Sequence, residues 1–278
     1  MTYLINNTPL EDRRAEWGLI VKREDLCCPA PGPPFSKTRG VLAWAQKRYD
    51  EGARLFGVLD TVHSQGGQAV AQAAQYLGAE CVGWYPVYKA EVNDPVMRPV
   101  QRAMRAMGAT VYGLPAGRSA ILYHRAKMHC EAMGGVMFPN ALKLPEMVDE
   151  TEAEFGRMHD NWAEPMDDRP WLVSASSGTI AAGVLRGLNT IHAKGPLIVH
   201  MGYSRPRDAV VGYMRKMARV GEHVDIEFID EGYEYKDVAR PGPTPSWPCN
   251  AHYDLKAFRW WASVGRQRYG EAVFWNIG

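Results

Sequence analysis

The apolar positions of this chain fall into short solid runs separated by longer stretches with helical spacing. From residue 37 to about 52, Val41, Leu42, Trp44, Ala45 and Tyr49 recur at helical intervals and predict a helix. Solid runs at 55–59, 81–85 and 110–114, with a last short one at 136–138, predict buried strands. Between them, 68–77, 96–107 and 119–133 read as amphipathic helices. Short apolar strands between such helices mean βαβ units and a parallel sheet.

A helix over 146–162 and a polar connection over 160–169, with Pro165, lead to a second alternating section. Strands are expected at 171–174, 197–201 and 224–229, and helices at 181–192 and 209–218. The chain closes with a helix at 255–264 and a strand at 272–275. Ahead of everything, Asn7-Thr8-Pro9-Leu10 is extended, because the residue before a proline is pushed out of the helical region, and 18–21 reads as a short strand. Two proline-rich stretches, 28–34 and 241–248, can only be loops. No solenoid repeat is present. The expected fold class is therefore α/β, with two domains that are each an open parallel-rich sheet flanked by helices. The larger would take in 1–52 and 146–278, and the smaller, inserted one 53–145.

Composition narrows the function classes. The chain has 278 residues, 46% of them apolar, enough to bury substantial cores, and a formal charge of +1, so net charge does not indicate nucleic acid as a partner. The most basic stretch, Arg259 to Arg268, interleaves Trp260 and Trp261, which fits a helix burying two tryptophans better than a base-stacking surface. Five cysteines, odd in number and without metal-ligand spacing, suggest neither a disulfide framework nor a metal site. No run approaches the ~18 apolar residues of a membrane span, and the first ten residues lack a basic start followed by an apolar core. A cytoplasmic protein with no membrane partner is expected.

Candidate chemistry sits on loops. In Phe35-Ser36-Lys37-Thr38-Arg39-Gly40, Lys37 opens a helix behind a proline-rich loop, with Ser36 as the expected N-cap. The positive end of the helix dipole favours a neutral amine there, which can attack a carbonyl cofactor, although most lysines are simply solvated. The turn Ser174-Ala175-Ser176-Ser177-Gly178-Thr179 joins a buried strand to a helix, where amides and hydroxyls can hold a phosphate or merely cap the helix. His63-Ser64-Gln65-Gly66-Gly67-Gln68 is a similar turn, in which Ser64 could orient a carboxylate and Gln65 donate to an oxygen. Tyr253-Asp254-Leu255-Lys256 precedes the last helix, and Asp254 is most simply its N-cap.

Lys-Arg-Glu-Asp-Leu at 22–26, Ser-Lys-Thr-Arg at 36–39, Ser-Gln-Gly-Gly-Gln at 64–68, Ser-Ser-Gly-Thr at 176–179, Tyr-Asp-x-Lys at 253–256 and Phe-Trp-Asn-Ile-Gly at 274–278 occur in one order. That order resembles the fold-type II pyridoxal-phosphate (PLP) enzymes, the tryptophan-synthase-β-like superfamily, over nearly the whole chain. The branch it most resembles holds aminocyclopropane-carboxylate deaminase and D-cysteine desulfhydrase. The resemblance implies that pyridoxal 5'-phosphate sits in the cleft between the domains, with the larger domain anchoring it and Lys37 as its Schiff-base lysine. It makes Ser64 a catalytic or carboxylate-binding serine and Gln65 the partner of the ring hydroxyl. Ser176, Ser177, Gly178 and Thr179 would cradle the phosphate. Tyr253 would act in catalysis beside Asp254, the acid at the pyridine nitrogen, and Asn276 stands near that same nitrogen. Gln65 replaces a usual asparagine, Gly66 a usual histidine, and Asn276-Ile277-Gly278 a usual Thr-Gly-Gly. The chain is also short between Tyr235 and Tyr253.

The implied function is a PLP-dependent lyase or deaminase acting at Cα or Cβ of a small amino-acid-like substrate, as a homo-oligomer by analogy, commonly a homodimer. Freed Lys37 would serve as general base or acid. Two alternatives are a synthase, or an enzyme acting on an amino group carried by a larger molecule. Another is a binding protein that kept the fold and lost catalysis.

Overall fold

A computed structural model describes residues 7–28, 32, 35–61, 63–88, 97–221 and 223–278, which cluster into two compact units. The first holds residues 7–28, 35–36 and 147–278; the second holds residue 32 and the described part of 37–146. In the proline-rich stretch 28–34 only Cys28 and Gly32 lie among the described residues, and Val96, the expected start of a helix, lies outside them.

The first unit opens with β1 (Leu10–Arg13), a one-turn helix α1 (Arg14–Trp17) and β2 (Leu19–Arg23). The polar sequence Leu-Glu-Asp-Arg hides β1 from a hydrophobic pattern, and its antiparallel place beside β2 at the sheet edge suits charged side chains. In the second unit come α2 (Lys37–Asp50), β3 (Leu55–Leu59), α3 (Gly66–Leu77), β4 (Glu80–Val87) and α4 (Pro99–Ala106). The unit continues with β5 (Thr110–Pro115), α5 (Ser119–Ala132) and β6 (Val136–Met137). The chain then returns to the first unit through α6 (Pro145–Asn161), β7 (Trp171–Ala175), α7 (Thr179–Thr190), β8 (Leu197–Met201), α8 (Arg207–Ala218) and β9 (Ile226–Ile229). It ends with α9 (Asp254–Trp260), a wider π turn (Trp261–Gly265), α10 (Arg266–Tyr269) and β10 (Ala272–Asn276). The wide turn accompanies burial of the consecutive Trp260 and Trp261.

Among the described residues the first unit carries a sheet ordered β1-β2-β10-β7-β8-β9, parallel from β2 onward, and the second a parallel sheet ordered β5-β4-β3-β6. The first core joins Leu19, Val21, Leu172, Ile198 and Phe274 of the strands to Phe258 and Trp261. The second joins Val82, Trp84 and Leu114 to Leu122, Ala126 and Cys130 of α5. Helix α2 clusters with the second unit, whereas the sequence reading gave residues 37–52 to the larger domain. It packs on α3, and its Trp44 lies 4.2 Å from Phe138 and 6.4 Å from Phe56, ring to ring.

The Lys-Arg-Glu-Asp run is a structural lock in the first unit. Lys22 is fully buried and paired with the equally buried Glu154 of α6, whose Oε1 also accepts from the Thr8 amide at 3.0 Å. Arg23 binds Asp25 through two bonds of 2.8 Å. Burying such charges is tolerated only with partners and satisfied hydrogen bonds.

Candidate active site

In each sheet the direction of winding reverses at one strand. From β7 the chain adds β8 and β9 on one side, with β10 and β2 on the other; from β3 it adds β4 and β5 on one side, with β6 on the other. Open α/β sheets bind ligands just beyond the carboxyl ends of strands at such a switch point. Most of the sequence candidates lie on those loops.

In the first unit, β7 ends at Ala175 and α7 begins at Thr179, so Ser176, Ser177 and Gly178 make the turn. Gly178 has φ of 86°, and a Cβ built there would lie 2.9 Å from Met214 Cγ, so both conformation and space call for glycine. Ser177 Oγ and Thr179 Oγ1 lie 3.1 Å apart, and the Tyr213 hydroxyl is 3.0 Å from Thr179 Oγ1. Arg205 donates to the Ser176 carbonyl at 2.7 Å. Amides of a first helical turn have no intrahelical partners, and hydroxyls with a guanidinium beside them complete a set of donors suited to an oxyanion. Tyr213 and Arg205 escape sequence reasoning because they come from α8 and the loop before it, about thirty residues away.

The other end of this edge holds Asp254, which opens α9 rather than capping it. The cap position is Tyr253, and its side chain makes no capping bond. The Asp254 carboxyl is fully buried; Oδ1 accepts from the Ile277 amide at 3.3 Å and Oδ2 has no partner. Burial pushes its pKa up to about 7, against the pull of the Ile277 and Gly278 amides, and Asp25 adds to the rise. Asn276, at the end of β10, is occupied by protein. Its Nδ2 donates to Asp25 Oδ1 at 2.9 Å and to the Pro248 carbonyl at 3.0 Å, and its Oδ1 accepts from the Cys249 thiol at 3.2 Å. The Tyr253 ring lies over Gly202, just past β8, where a Cβ would come within 2.5 Å of Cδ1.

In the second unit, β3 ends at Leu59 and α3 begins at Gly66. The first residue of the loop is Asp60, 3% exposed and absent from the sequence candidates. Its amide donates to the Trp84 carbonyl at 2.8 Å, its Oδ1 accepts from the Thr61 amide at 2.9 Å, and its Oδ2 has no partner. Burial pushes this carboxyl up to about 7, opposed by the Thr61 amide, the Ser64 hydroxyl, the Gly67 amide and the charge of Lys37. A Cβ on Gly67 would lie 2.7 Å from Asp60 Oδ2 and 2.5 Å from Met104 Sδ, so the glycine makes room for the acid. Ser64 Oγ accepts from the Gly66 amide at 3.1 Å, and Gln65 precedes α3 without a side-chain cap. Lys37, partly exposed, opens α2, but the buried Ser36 hydroxyl has no hydrogen-bond partner, so the expected cap is not formed. A signal for Asp60 existed in the sequence: an acid placed directly after the solid apolar run at 55–59.

A donor-rich turn at the switch point of an open α/β sheet suits the phosphate or carboxylate of an anionic ligand. No protein-family model matches the chain. The glycyl-dTMP PLP-dependent decarboxylase of Pseudomonas phage M6 is 43% identical over 283 residues, covering 99% of each chain. Among solved structures, an ACC deaminase homologue aligns with a TM-score of 0.77 at 18% identity, over 98% of this chain and 89% of that one. Threonine deaminase isoform 2 of Solanum lycopersicum aligns at 0.69 and 16%, over 99% and 80%. Escherichia coli diaminopropionate ammonia lyase aligns at 0.66 and 15%, over 97% and 82%. The chain belongs to the fold-type II PLP enzymes. Its residues fit that cofactor: Gly178 keeps the donor-rich turn open, and Asp254 keeps a buried oxygen without a protein partner. Among the described residues no helix is long and apolar enough to cross a membrane.

Proposed function

We propose that this chain is a PLP-dependent decarboxylase whose substrate is a glycyl group carried on a thymidylate nucleotide. The observation that carries this reading is the 43% identity, over 99% of both chains, to a glycyl-dTMP PLP-dependent decarboxylase. It turns the expected lyase or deaminase into a decarboxylating lyase and takes up the alternative of an amino group on a larger molecule.

Lys37 would hold the cofactor covalently, and Ser176, Ser177, Gly178 and Thr179 would bind its phosphate, joined by Tyr213 and Arg205. When bound, PLP supplies an electron sink for the pair left at Cα. Asp254, not Asn276, would face the pyridine nitrogen: Asp254 Oδ2 has no partner, whereas both ends of the Asn276 amide are engaged. An acid there keeps that nitrogen protonated, which favours a reaction that leaves a full negative charge at Cα. Ser64 would orient the substrate carboxylate, Gln65 would bond the ring hydroxyl, and Tyr253 would flank the site. Because the amine must reach the cofactor and the carboxylate must leave, the nucleotide would be joined through the α-carbon.

Holoprotein incubated with glycyl-dTMP should release one carbon dioxide per substrate consumed, with a nucleotide amine as the other product. Release of pyruvate or ammonia from free amino acids, with no carbon dioxide from the nucleotide, overturns the reading in favour of elimination.

A further inference from the structure

We propose that Lys256 is a positioning residue of the cofactor site: its buried amine ties the loop after β8 to α9 and so holds Tyr253 in place beside the turn that is to bind the phosphate. The inference rests on the reading of that turn and of Tyr253 as parts of the site, and not on which reaction follows. Its geometry lies wholly within the first unit.

Lys256 closes the Tyr-Asp-x-Lys run on α9, and its side chain is fully buried. Among the described residues it makes no ion pair. Of the acids acting on it, Glu231 is bonded to His200 at 2.9 Å and stands 3.7 Å from Arg240, and Asp237 accepts from the Glu234 amide at 2.7 Å. The Lys256 amine instead donates to the Gly202 carbonyl at 2.5 Å and lies 4.3 Å from the centre of the Tyr233 ring. A carbonyl and a ring face both attract a cation. Burial still pulls its pKa down to about 8, against the pull of Asp237 and Glu231. An apolar side chain of similar length would fill the same space without that cost. What the amine adds is a directed bond to Gly202.

Gly202 is where that bond matters. It stands one residue past β8, and its amide donates at 2.9 Å to the carbonyl of Ala175, the residue before the Ser176 turn. Arg205, in the same loop, bonds the Ser176 carbonyl. The Ser204 amide donates to the Tyr233 carbonyl at 2.8 Å, so the ring beneath the amine is joined to this loop as well. The Tyr253 ring packs at the Gly202 α-carbon, and on α9 the Lys256 amide donates to the Tyr253 carbonyl at 3.0 Å. Lys256 is thus bonded to Tyr253 through its main chain and to Gly202 through its side chain, and Gly202 is bonded to the strand end that carries the phosphate turn. The amine closes a circuit of hydrogen bonds between the two.

Lys256→Met keeps the length of the side chain and removes the donor. In denaturant the cofactor-free variant should be at least as stable as wild type, since an apolar group replaces a buried cation. Exchange of the Gly202 amide with heavy water should nevertheless quicken about tenfold, and PLP affinity should fall about tenfold, the worth of one hydrogen bond. Lys256→Gln, which keeps a donor without the charge, should recover part of both. A Lys256→Met protein that loses stability but keeps wild-type exchange at Gly202 and wild-type PLP affinity makes the lysine a stability element and overturns the proposal. Wild-type protein supplies a measurement that no folding defect can spoil: adding PLP should slow exchange of the Gly202 amide, and an amide indifferent to bound cofactor overturns the proposal. If wild type binds no PLP, the reading of the site fails, and exchange at Gly202 in the two variants alone decides whether Lys256 holds the loop.

Discussion

Asp254 and Asp60 are built alike and are set in opposite company. Each is buried near the carboxyl edge of its own sheet, each has one oxygen bound to a backbone amide and one without a partner, and burial pushes each up to about 7. Asp254 is surrounded by main-chain amides at the chain's end, with Asp25 as its charged neighbour; Asp60 has a serine and a lysine. On the reading proposed above, the first would meet a cation brought to it, as a protonated pyridine would be, while the second lies in the field of a lysine of its own unit. The same burial thus raises two carboxyls whose neighbours differ: amides and an acid in one unit, amides, a hydroxyl and a lysine in the other.

The largest expected effect belongs to neither acid but to Lys37, the proposed Schiff-base lysine. Lys37→Ala should lose covalent cofactor attachment, read as failure of borohydride to fix PLP to the protein, and turnover should fall by roughly three orders of magnitude or more. Asp254→Asn comes next. It should still bind PLP through the phosphate turn, but with an altered visible spectrum and decarboxylation reduced about a hundredfold by the weaker electron sink. Cofactor-free protein adds a second readout. A carboxyl whose folded value is about 7 against an ordinary 3.8 takes up a proton on folding over that interval. Folding stability therefore falls as pH rises from about 4 to about 7 and levels off above, the reverse of a salt-bridged carboxylate. Asp254→Asn should remove its share of that fall, and Asp60→Asn the other share; denaturant midpoints measured across this range would check both. A fall in stability that neither variant changes would mean that the two acids are not the pair described.

A smaller effect separates the phosphate turn from both acids. Gly178→Ala places a Cβ at φ 86° and 2.9 Å from Met214, a strain of about 1–2 kcal/mol. PLP affinity should drop about tenfold, with the spectrum of bound cofactor unchanged. A spectral change would tie the turn to the ring rather than to the phosphate.

These devices were unequally legible before the fold was known. The strands that end in the two loops are solid apolar runs, and their helices keep a regular spacing, so the parallel sheets could be read from residues such as Leu55 to Leu59 and Leu197 to Met201. The serine turn stood out because small polar residues lie between such a strand and helix, although helix capping reads equally well there. Edge strand β1 was not, because Glu11, Asp12 and Arg13 suit an edge and break every hydrophobic pattern. Nor were the partners of Asn276, since Asp25 and Cys249 reach it from 251 and 27 residues away. The sequence reading gave residues 37–52 to the larger domain, whereas Trp44 packs helix α2 against aromatic residues that come later in the sequence.

Asn276 supplies the gentlest and most discriminating test. Asn276→Ala removes a donor from Asp25 and from the Pro248 carbonyl, and the acceptor of the Cys249 thiol. Asp25 keeps its paired bonds to Arg23, so the loss should be confined to about 1–3 kcal/mol of stability, the cost of unsatisfied buried groups. The spectrum of bound PLP and its response to pH should stay as in wild type, because the asparagine's hydrogen bonds all go to protein. If Asn276 instead met the pyridine nitrogen, the outcomes would exchange: Asn276→Ala would shift the spectrum at little cost in stability, and Asp254→Asn would leave it unmoved. A spectrum that follows Asp254 alone means that the buried carboxyl oxygen without a partner is the cofactor's contact, and that Asn276 serves to hold Asp25 and the end of β10 beside it.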